Sequence, residues 1–163
     1  MVPGEAAAEL RSRFREVWLL DTEFRAPPGE NPTPVCLAAR EYFSGREVVL
    51  WRDELVRLRA PPFDIGPDSL TVCYFASAEI GTFLALGWPA PRHVLDLFAE
   101  FRCLTNGLAL PAGRSLLGAL VYFGLDHMTR DRKASMRSLI GEAPDLDVHR
   151  SDILEYCLDV NRR

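Results

Sequence analysis

The chain has 163 residues, of which 48% are hydrophobic, enough for one domain with a real core and too few for two domains of ordinary size. Its formal net charge of −4 argues against a broad basic surface that binds long nucleic acid through many phosphate contacts, and leaves room for a small local site. No apolar run reaches the roughly 18 residues of a membrane span, and the four cysteines form no CxxC pair, so we predict a single domain over residues 1–163, cytoplasmic and without a membrane partner.

The first third of the chain combines one helix with three strands. The stretch EAAAELRSRFRE at 5–16 predicts a short amphipathic helix, and VWLLDTEF at 17–24 predicts a buried strand interrupted by acids. After the loop APPGENPTP, the stretches VCLAAREYF and REVVLW are predicted to form a hairpin through a tight turn at SG.

The rest of the chain contains a strand–helix–strand unit followed by helices. LTVCYFA predicts a buried strand, SAEIGTFLALG predicts a helix that Ser77 begins and Gly87 ends, and HVLDL predicts a short fifth strand. The helical patterns after it are FAEFRCLTNG, SLLGALVYFGL, DRKASMRSLIG and RSDILEYCLDVNRR. This order of elements predicts an α/β layered structure with a mixed sheet.

Two acids one residue apart interrupt the first strand. Because side chains alternate along a strand, Asp21 and Glu23 are expected on the same face, about 6–7 Å apart. Two like charges on a buried face repel, and the usual remedies are a raised pKa or a bound cation. A divalent metal ion with oxygen ligands would account for the pair.

Three stretches are similar to sequence motifs of one known group of enzymes. LLDTEF carries Asp-x-Glu on a strand, VCYFASAEIGTFLALG carries an acid at the start of a helix after a strand, and ILEYCLDV holds Tyr and Asp on a late helix. Together with the strand in PRHVLDL, this order resembles the DEDD-type 3′–5′ exonuclease domains of the ribonuclease H-like superfamily, typified by the proofreading domain of family A DNA polymerases and by ribonuclease D. The resemblance covers nearly the whole chain. It implies a ribonuclease H-like three-layer α/β fold, with a five-stranded mixed sheet flanked by helices.

Two positions depart from the family pattern. The second motif has Glu79 where the family has Asp, and Asp96 matches a non-catalytic Asp that the family often carries on the next strand. In the third motif two residues, rather than three, separate Tyr156 from Asp159, which rotates one of them by about 100° from its family position on a helix. A tightened turn in the helix could bring both side chains into the site. If the helix stays regular and Asp159 stays on the metal, Glu155 takes the place of the tyrosine.

The resemblance implies two-metal hydrolysis of a phosphodiester. Asp21, Glu23 and Asp159 would bind one Mg²⁺ or Mn²⁺ ion, Asp21 with Glu79 would bind the second, and Tyr156 would orient the attacking water. The implied activity releases nucleoside 5′-monophosphates from the 3′ end of single-stranded nucleic acid. DNA, in proofreading or repair, is the favoured substrate, and RNA stays open because recognition of the 2′-hydroxyl depends on pocket shape. Asp159 is expected to matter more than Tyr156, because an ion without its ligand does not bind at all.

Three further residues are candidates for contacting nucleic acid. Lys133 and Arg137, four apart on a predicted helix, share a face that could receive phosphate, although a solvated surface is the default interpretation of such charges. Phe24 follows the first motif and either stacks on a terminal base or packs in the core. The alternative to an enzyme is a catalytically impaired module of the same fold, which binds nucleic-acid ends or a partner such as a polymerase or another repair protein.

Overall fold

The computed structural model describes residues 3–126 and 129–162. The strands are β1 (Glu16–Arg25), β2 (Thr33–Glu41), β3 (Glu47–Trp51), β4 (Ser69–Cys73) and β5 (Val94–Asp96). The helices are α1 (Pro3–Arg13), α2 (Arg52–Leu55), α3 (Ala76–Ala85), α4 (Leu97–Leu104), α5 (Leu116–Tyr122), α6 (Arg130–Glu142) and α7 (Arg150–Arg162), with a 3-10 turn (Asp147–His149) before α7. No helix in these two ranges is long and apolar enough to cross a membrane.

The strands form one mixed sheet in the order β3-β2-β1-β4-β5. The pairs β1–β2 and β2–β3 are antiparallel, whereas β4 runs parallel to both β1 and β5. The predicted α/β fold, a five-stranded mixed sheet flanked by helices, is therefore confirmed. Because β1, β4 and β5 point the same way, their carboxyl ends meet at one edge of the sheet, where ligands bind in open α/β sheets.

The alternation of side chains along the strands builds a core on each face of the sheet. On β2, Leu37 and Ala39 belong to a cluster with Phe83 of α3 and with Trp88. Cys36 and Ala38 of the same strand, fully buried, belong to another cluster with Ile140 of α6 and with Ile153 and Cys157 of α7. Helices α3 and α7 thus cover opposite faces of the central strands, which is the three-layer arrangement that the resemblance implies.

The hairpin between β2 and β3 is confirmed, but its turn is longer than the predicted tight SG turn and spans residues 42–46. The reason is the carboxylate of Glu41, which is 3% exposed. It accepts hydrogen bonds from the backbone amides of Val17, Phe43 and Ser44 and from the Ser44 hydroxyl. A buried carboxylate with four donors organises a wider turn than a two-residue loop could.

Two predictions about β4 and α3 are wrong in detail. Strand β4 ends at Cys73 rather than at residue 76, and α3 begins at Ala76 without a cap from Ser77. The residue before the helix is Phe75, which has φ 108° and ψ 70°. The physical reason is a contact that sequence alone does not reveal, because the carboxylate of Asp96 on β5 accepts the amides of Phe75 and Ala76 at 3.2 and 3.1 Å.

Candidate active site at the carboxyl ends of the central strands

The two paired acids lie where β1 outruns its parallel neighbour. The pairing of β1 with β4 ends at Leu19 opposite Val72, so the segment that begins with Asp21 has no partner on that side. The strand also bulges between Glu23 and Phe24. Bulges re-aim side chains and are common beside functional sites.

A cavity of about 650 Å³ opens at this edge of the sheet. The predicted site residues that line it are Asp21, Glu23, Phe24, Glu79, Lys133, Arg137 and Tyr156. Residues from β1, α3, α6 and α7 thus converge on one volume, although they lie more than 130 positions apart in sequence. This convergence is the main result that the tertiary structure adds to the motifs.

Two carboxylate oxygens in the cavity wall have no hydrogen-bond donor within the described part of the chain. They are Asp21 Oδ2 and Glu79 Oε2, and both are buried. Burial raises the pKa of Asp21 to about 7, although the thiol of Cys157 and the positive charge of Lys133 lower it in part. Burial and the negative charge of Asp21 raise the pKa of Glu79 well above its usual value. Buried acceptors without donors are uncommon in folded proteins and indicate that something else completes the site.

Glu23 completes the acidic cluster. Burial and the neighbouring charge of Asp21 raise its pKa to about 8, against the positive charges of Lys133 and Arg137. Two close carboxylates cannot both ionise easily in a buried site, so one proton or one cation is expected there at neutral pH. The raised pKa values and the orphan oxygens therefore point to the same requirement for positive charge.

Helix α6 supplies positive charge from the protein itself. Lys133 and Arg137, four residues apart, line the cavity, and their charges act on Glu23. Burial lowers the pKa of Lys133, as does the charge of Arg137, while Asp21 and Glu23 raise it. A cationic face inside the cavity agrees with the predicted shared face of these two residues rather than with a purely solvated surface.

The third motif keeps its tyrosine at the cavity. Tyr156 is 5% exposed and lines the cavity, whereas Glu155 is exposed. Asp159 is not among the lining residues of this cavity, and its carboxylate pairs with Arg132 of α6 at 3.7 Å. Positions three apart on a regular helix share a face and differ by about 60° around its axis, so Asp159 lies near the face that carries Tyr156 but contacts Arg132 instead of lining the cavity. The role of Asp159 as a metal ligand stays a prediction.

Several contacts fix α6 and α7 against the sheet. The Cys157 thiol donates to the carbonyl oxygen of Asp21 at 3.3 Å, and Asn161 Nδ2 donates to the carbonyl of Ala38 at 2.9 Å. Arg25, at the end of β1, donates from Nε to the carbonyl of Ile140 at 2.6 Å and from a second nitrogen to Ala143. These bonds hold the two late helices beside the acids.

The residue pattern alone missed three residues beside the site. Tyr74 and Phe75 line the cavity, and the Tyr74 hydroxyl donates to the carbonyl of Arg114 at 2.6 Å. Thr22, between the two acids, has its hydroxyl 3.1 Å from that of Thr82, and hydrogen bonding from Thr22 to Glu79 lowers the pKa of that carboxyl in part, against the larger effect of burial. The sequence signal that could have found Tyr74 and Phe75 is their position as an aromatic pair between a strand and the helix that carries Glu79.

The donor chemistry of the site suits a divalent cation. Carboxylate oxygens are the ligands that Mg²⁺ and Mn²⁺ prefer, and two of those in the cavity wall have no other partner. Nevertheless, no three His, Cys, Asp or Glu side chains within residues 3–126 and 129–162 are grouped closely enough to hold a metal ion. Asp21 and Glu79, each with a buried oxygen that has no donor in the described part of the chain, are the residues that would hold such an ion, and Glu23 lines the same cavity.

Comparison with protein-family models and with curated protein sequences gives no match for this chain. Among solved structures, the chain is similar to the EXO domain of Aedes aegypti Nibbler, with a TM-score of 0.45 and 11% identity over 98% of this chain and 82% of that one. It is also similar to the EXD2 exonuclease domain, with a TM-score of 0.33 and 22% identity over 96% of this chain and 88% of that one.

Proposed function

We propose that this protein is a metal-dependent 3′–5′ exonuclease that releases nucleoside 5′-monophosphates from the 3′ end of single-stranded nucleic acid, with DNA the favoured substrate. One observation carries the proposal. The buried oxygens Asp21 Oδ2 and Glu79 Oε2, which have no donor among the described residues, line one cavity with Glu23 and Tyr156. Two carboxylates on one cavity, each with one buried oxygen that has no donor in the described part of the chain, favour a bound cation, and the motifs that supply them are those of the exonuclease resemblance.

In the proposed reaction, Asp21, Glu79 and Glu23 would be ligands of Mg²⁺ or Mn²⁺, and the resemblance implies two such ions with Asp159 as a further ligand. A bound ion would supply Lewis acidity at the scissile phosphate and lower the pKa of a water molecule. Burial and the charges of Glu23 and Asp21 raise the pKa of Tyr156, so its hydroxyl stays protonated at neutral pH. The tyrosine therefore orients a water molecule through hydrogen bonds and does not act as a base.

The cationic face of α6 has a separate task in this proposal. Lys133 and Arg137 attract the phosphates of a terminal dinucleotide toward an otherwise acidic cavity, which a chain with a net charge of −4 needs in order to bind a polyanion. Since phosphate contacts carry no sequence information, we expect little base preference from them. A polymerase or another repair protein is the proposed partner that delivers such ends.

The second candidate function is a catalytically impaired module that binds nucleic-acid ends or a partner protein. Two observations favour it: Asp159, which does not line the cavity, pairs with Arg132, and the positive charge of Lys133 acts on Asp21 and Glu23. In this candidate the protein's own cations neutralise the acidic cluster, and no divalent ion is needed.

One experiment separates the two. End-labelled single strands of DNA and of RNA are incubated with Mn²⁺, Mg²⁺ or EDTA, and products are resolved at single-nucleotide length. The exonuclease proposal requires a ladder of products that shorten one nucleotide at a time from the 3′ end. The ladder should disappear in EDTA and with the Asp21→Asn variant. It should persist with Asp68→Asn, the control, which changes an exposed acid elsewhere in the chain. Binding without shortening in either metal would support the impaired module and end the enzyme proposal.

A further inference from the structure

Phe75 is the one described non-glycine residue with a positive φ, and it lies beside the acidic cluster. Its φ of 108° is a conformation that a bulky side chain rarely adopts, since the Cβ atom crowds the backbone. Such outliers persist only where the surrounding structure enforces them, and they are concentrated at functional sites. An ordinary connection between β4 and α3 would have placed a glycine or an asparagine here.

Two features enforce the conformation. The carboxylate of Asp96 accepts the amides of Phe75 and Ala76, and it also accepts the amides of Phe98 and Ala99 at 2.9 and 3.4 Å. A single half-buried carboxylate on β5 therefore holds the starts of both α3 and α4. The ring of Phe75 rests edge-on against Phe98, with centroids 5.2 Å apart and planes at 79°.

The ring is nevertheless not part of the core. Phe75 is 46% exposed and lines the same cavity as Glu79, which is one helical turn further along α3. A strained backbone that turns a large aromatic ring outward loses both conformational and hydrophobic free energy. A ligand with a flat apolar face would compensate for this loss, because stacking on the ring removes it from water.

We propose that Phe75 is the stacking platform for the terminal base of the single strand whose phosphate lies at the acids. This inference rests on the proposed function and extends it to a residue that was not among the predicted site residues. Phe98 supports the ring from behind, and Asp96 is a positioning residue that fixes its direction. Base–aromatic stacking tolerates any base because every base has a flat π face, so the platform adds affinity without sequence preference.

The test measures binding of a 5′-fluorescein-labelled single strand by anisotropy, in Ca²⁺, for the wild-type protein, Phe75→Ala, Phe75→Gly and Phe75→Trp. Alanine and glycine should each weaken binding by roughly five- to a hundredfold, which is the range for loss of one stacked base, and tryptophan should retain it. Glycine relieves the backbone strain, so Phe75→Gly should melt higher than Phe75→Ala while binding no better. Tyr42→Ala is the control, since Tyr42 is 48% exposed in the β2–β3 turn, at the other end of β1.

A second strand, identical except for an abasic 3′-terminal nucleotide, makes the test specific. If Phe75 stacks on the terminal base, the abasic strand binds the wild-type protein more weakly, and Phe75→Ala causes no further loss. Two results would overturn the stacking platform but leave the exonuclease proposal in place. One is an equal loss of affinity for both strands in Phe75→Ala. The other is no loss of affinity for either strand, while the wild-type protein still binds and shortens DNA. A wild-type protein that binds neither strand would overturn both.

Discussion

Replacing Asp21 with asparagine should stabilise the fold while abolishing cleavage, and the gain should depend on pH. Burial raises the pKa of the Asp21 carboxyl from 3.8 to about 7. At about 1.4 kcal/mol for each pKa unit, ionising this group in the folded protein is about 4 kcal/mol less favourable than in the unfolded chain. Asparagine removes the charge and also relieves the repulsion that raises the pKa of Glu23.

The sign of the pH dependence follows from proton binding. Between the unfolded and folded pKa values the folded state binds more protons, so the free energy of unfolding of the wild-type protein falls as the pH rises through this window. Above about pH 8 the loss is complete, and Asp21→Asn should be more stable than the wild-type protein by up to about 4 kcal/mol. Near pH 4.5 the stability difference between Asp21→Asn and the wild-type protein should shrink to about 1 kcal/mol, because this pH is only slightly above the unfolded pKa of 3.8.

Urea denaturation followed by tryptophan fluorescence measures these differences, because Trp18, Trp51 and Trp88 are all at most 3% exposed and report on the core. Asp68→Asn, which removes an exposed carboxylate, is the matched control and should show no such gain at high pH. An Asp21→Asn variant that is less stable at high pH, or whose change in stability is the same at both pH values, would refute the argument that burial of charge governs this site. Mn²⁺ at high pH should stabilise the wild-type protein, by about 2.7 kcal/mol at a hundredfold excess over Kd, and should leave Asp21→Asn nearly unaffected.

Three further predictions follow from other contacts. Tyr156 lines the cavity while Asp159 pairs with Arg132, and this reverses the order of importance expected from the sequence. Tyr156→Phe should slow single-turnover cleavage by about 10²-fold or more, and Asp159→Asn should slow it less; the opposite result would favour Asp159 as a metal ligand. Lys133→Met should tighten Mn²⁺ binding by about tenfold, because it removes a positive charge that competes with the ion beside Asp21 and Glu23. Titration calorimetry measures this, and Arg57→Met, which changes an exposed arginine, should leave Mn²⁺ binding unchanged. Although burial opposes it, hydrogen bonds from Ser44, Val17 and Phe43 lower the pKa of Glu41, so Glu41→Gln should lower the free energy of unfolding by about 1–3 kcal/mol at neutral pH. That difference should vanish as the pH falls through the lowered pKa, and a difference that persists in acid would mean that shape rather than charge holds the turn.

The sequence by itself determined the order of elements and the chemistry of the first motif. Alternation of apolar residues in VWLLDTEF and VCLAAREYF predicted two central strands, and period-two geometry placed Asp21 and Glu23 on one face. These are local consequences of strand geometry and need no partner. For the same reason the helix patterns of the second half were recovered within a few residues, with α5 shorter than its pattern and ending at Tyr122.

Only the tertiary structure decided which residues meet. From the sequence, ILEYCLDV could place Tyr156 and Asp159 together at the site through a tightened turn, or Asp159 with Glu155 on a regular helix. In the folded chain Tyr156 lines the cavity, Asp159 does not, and Cys157 contacts β1. The burial that raises the carboxyl pKa values, and the carboxylate of Asp96 that holds Phe75 in a left-handed conformation, depend on contacts between segments about twenty or more residues apart. No periodicity in the sequence encodes such contacts, because desolvation and backbone strain are properties of the assembled core and not of any single element.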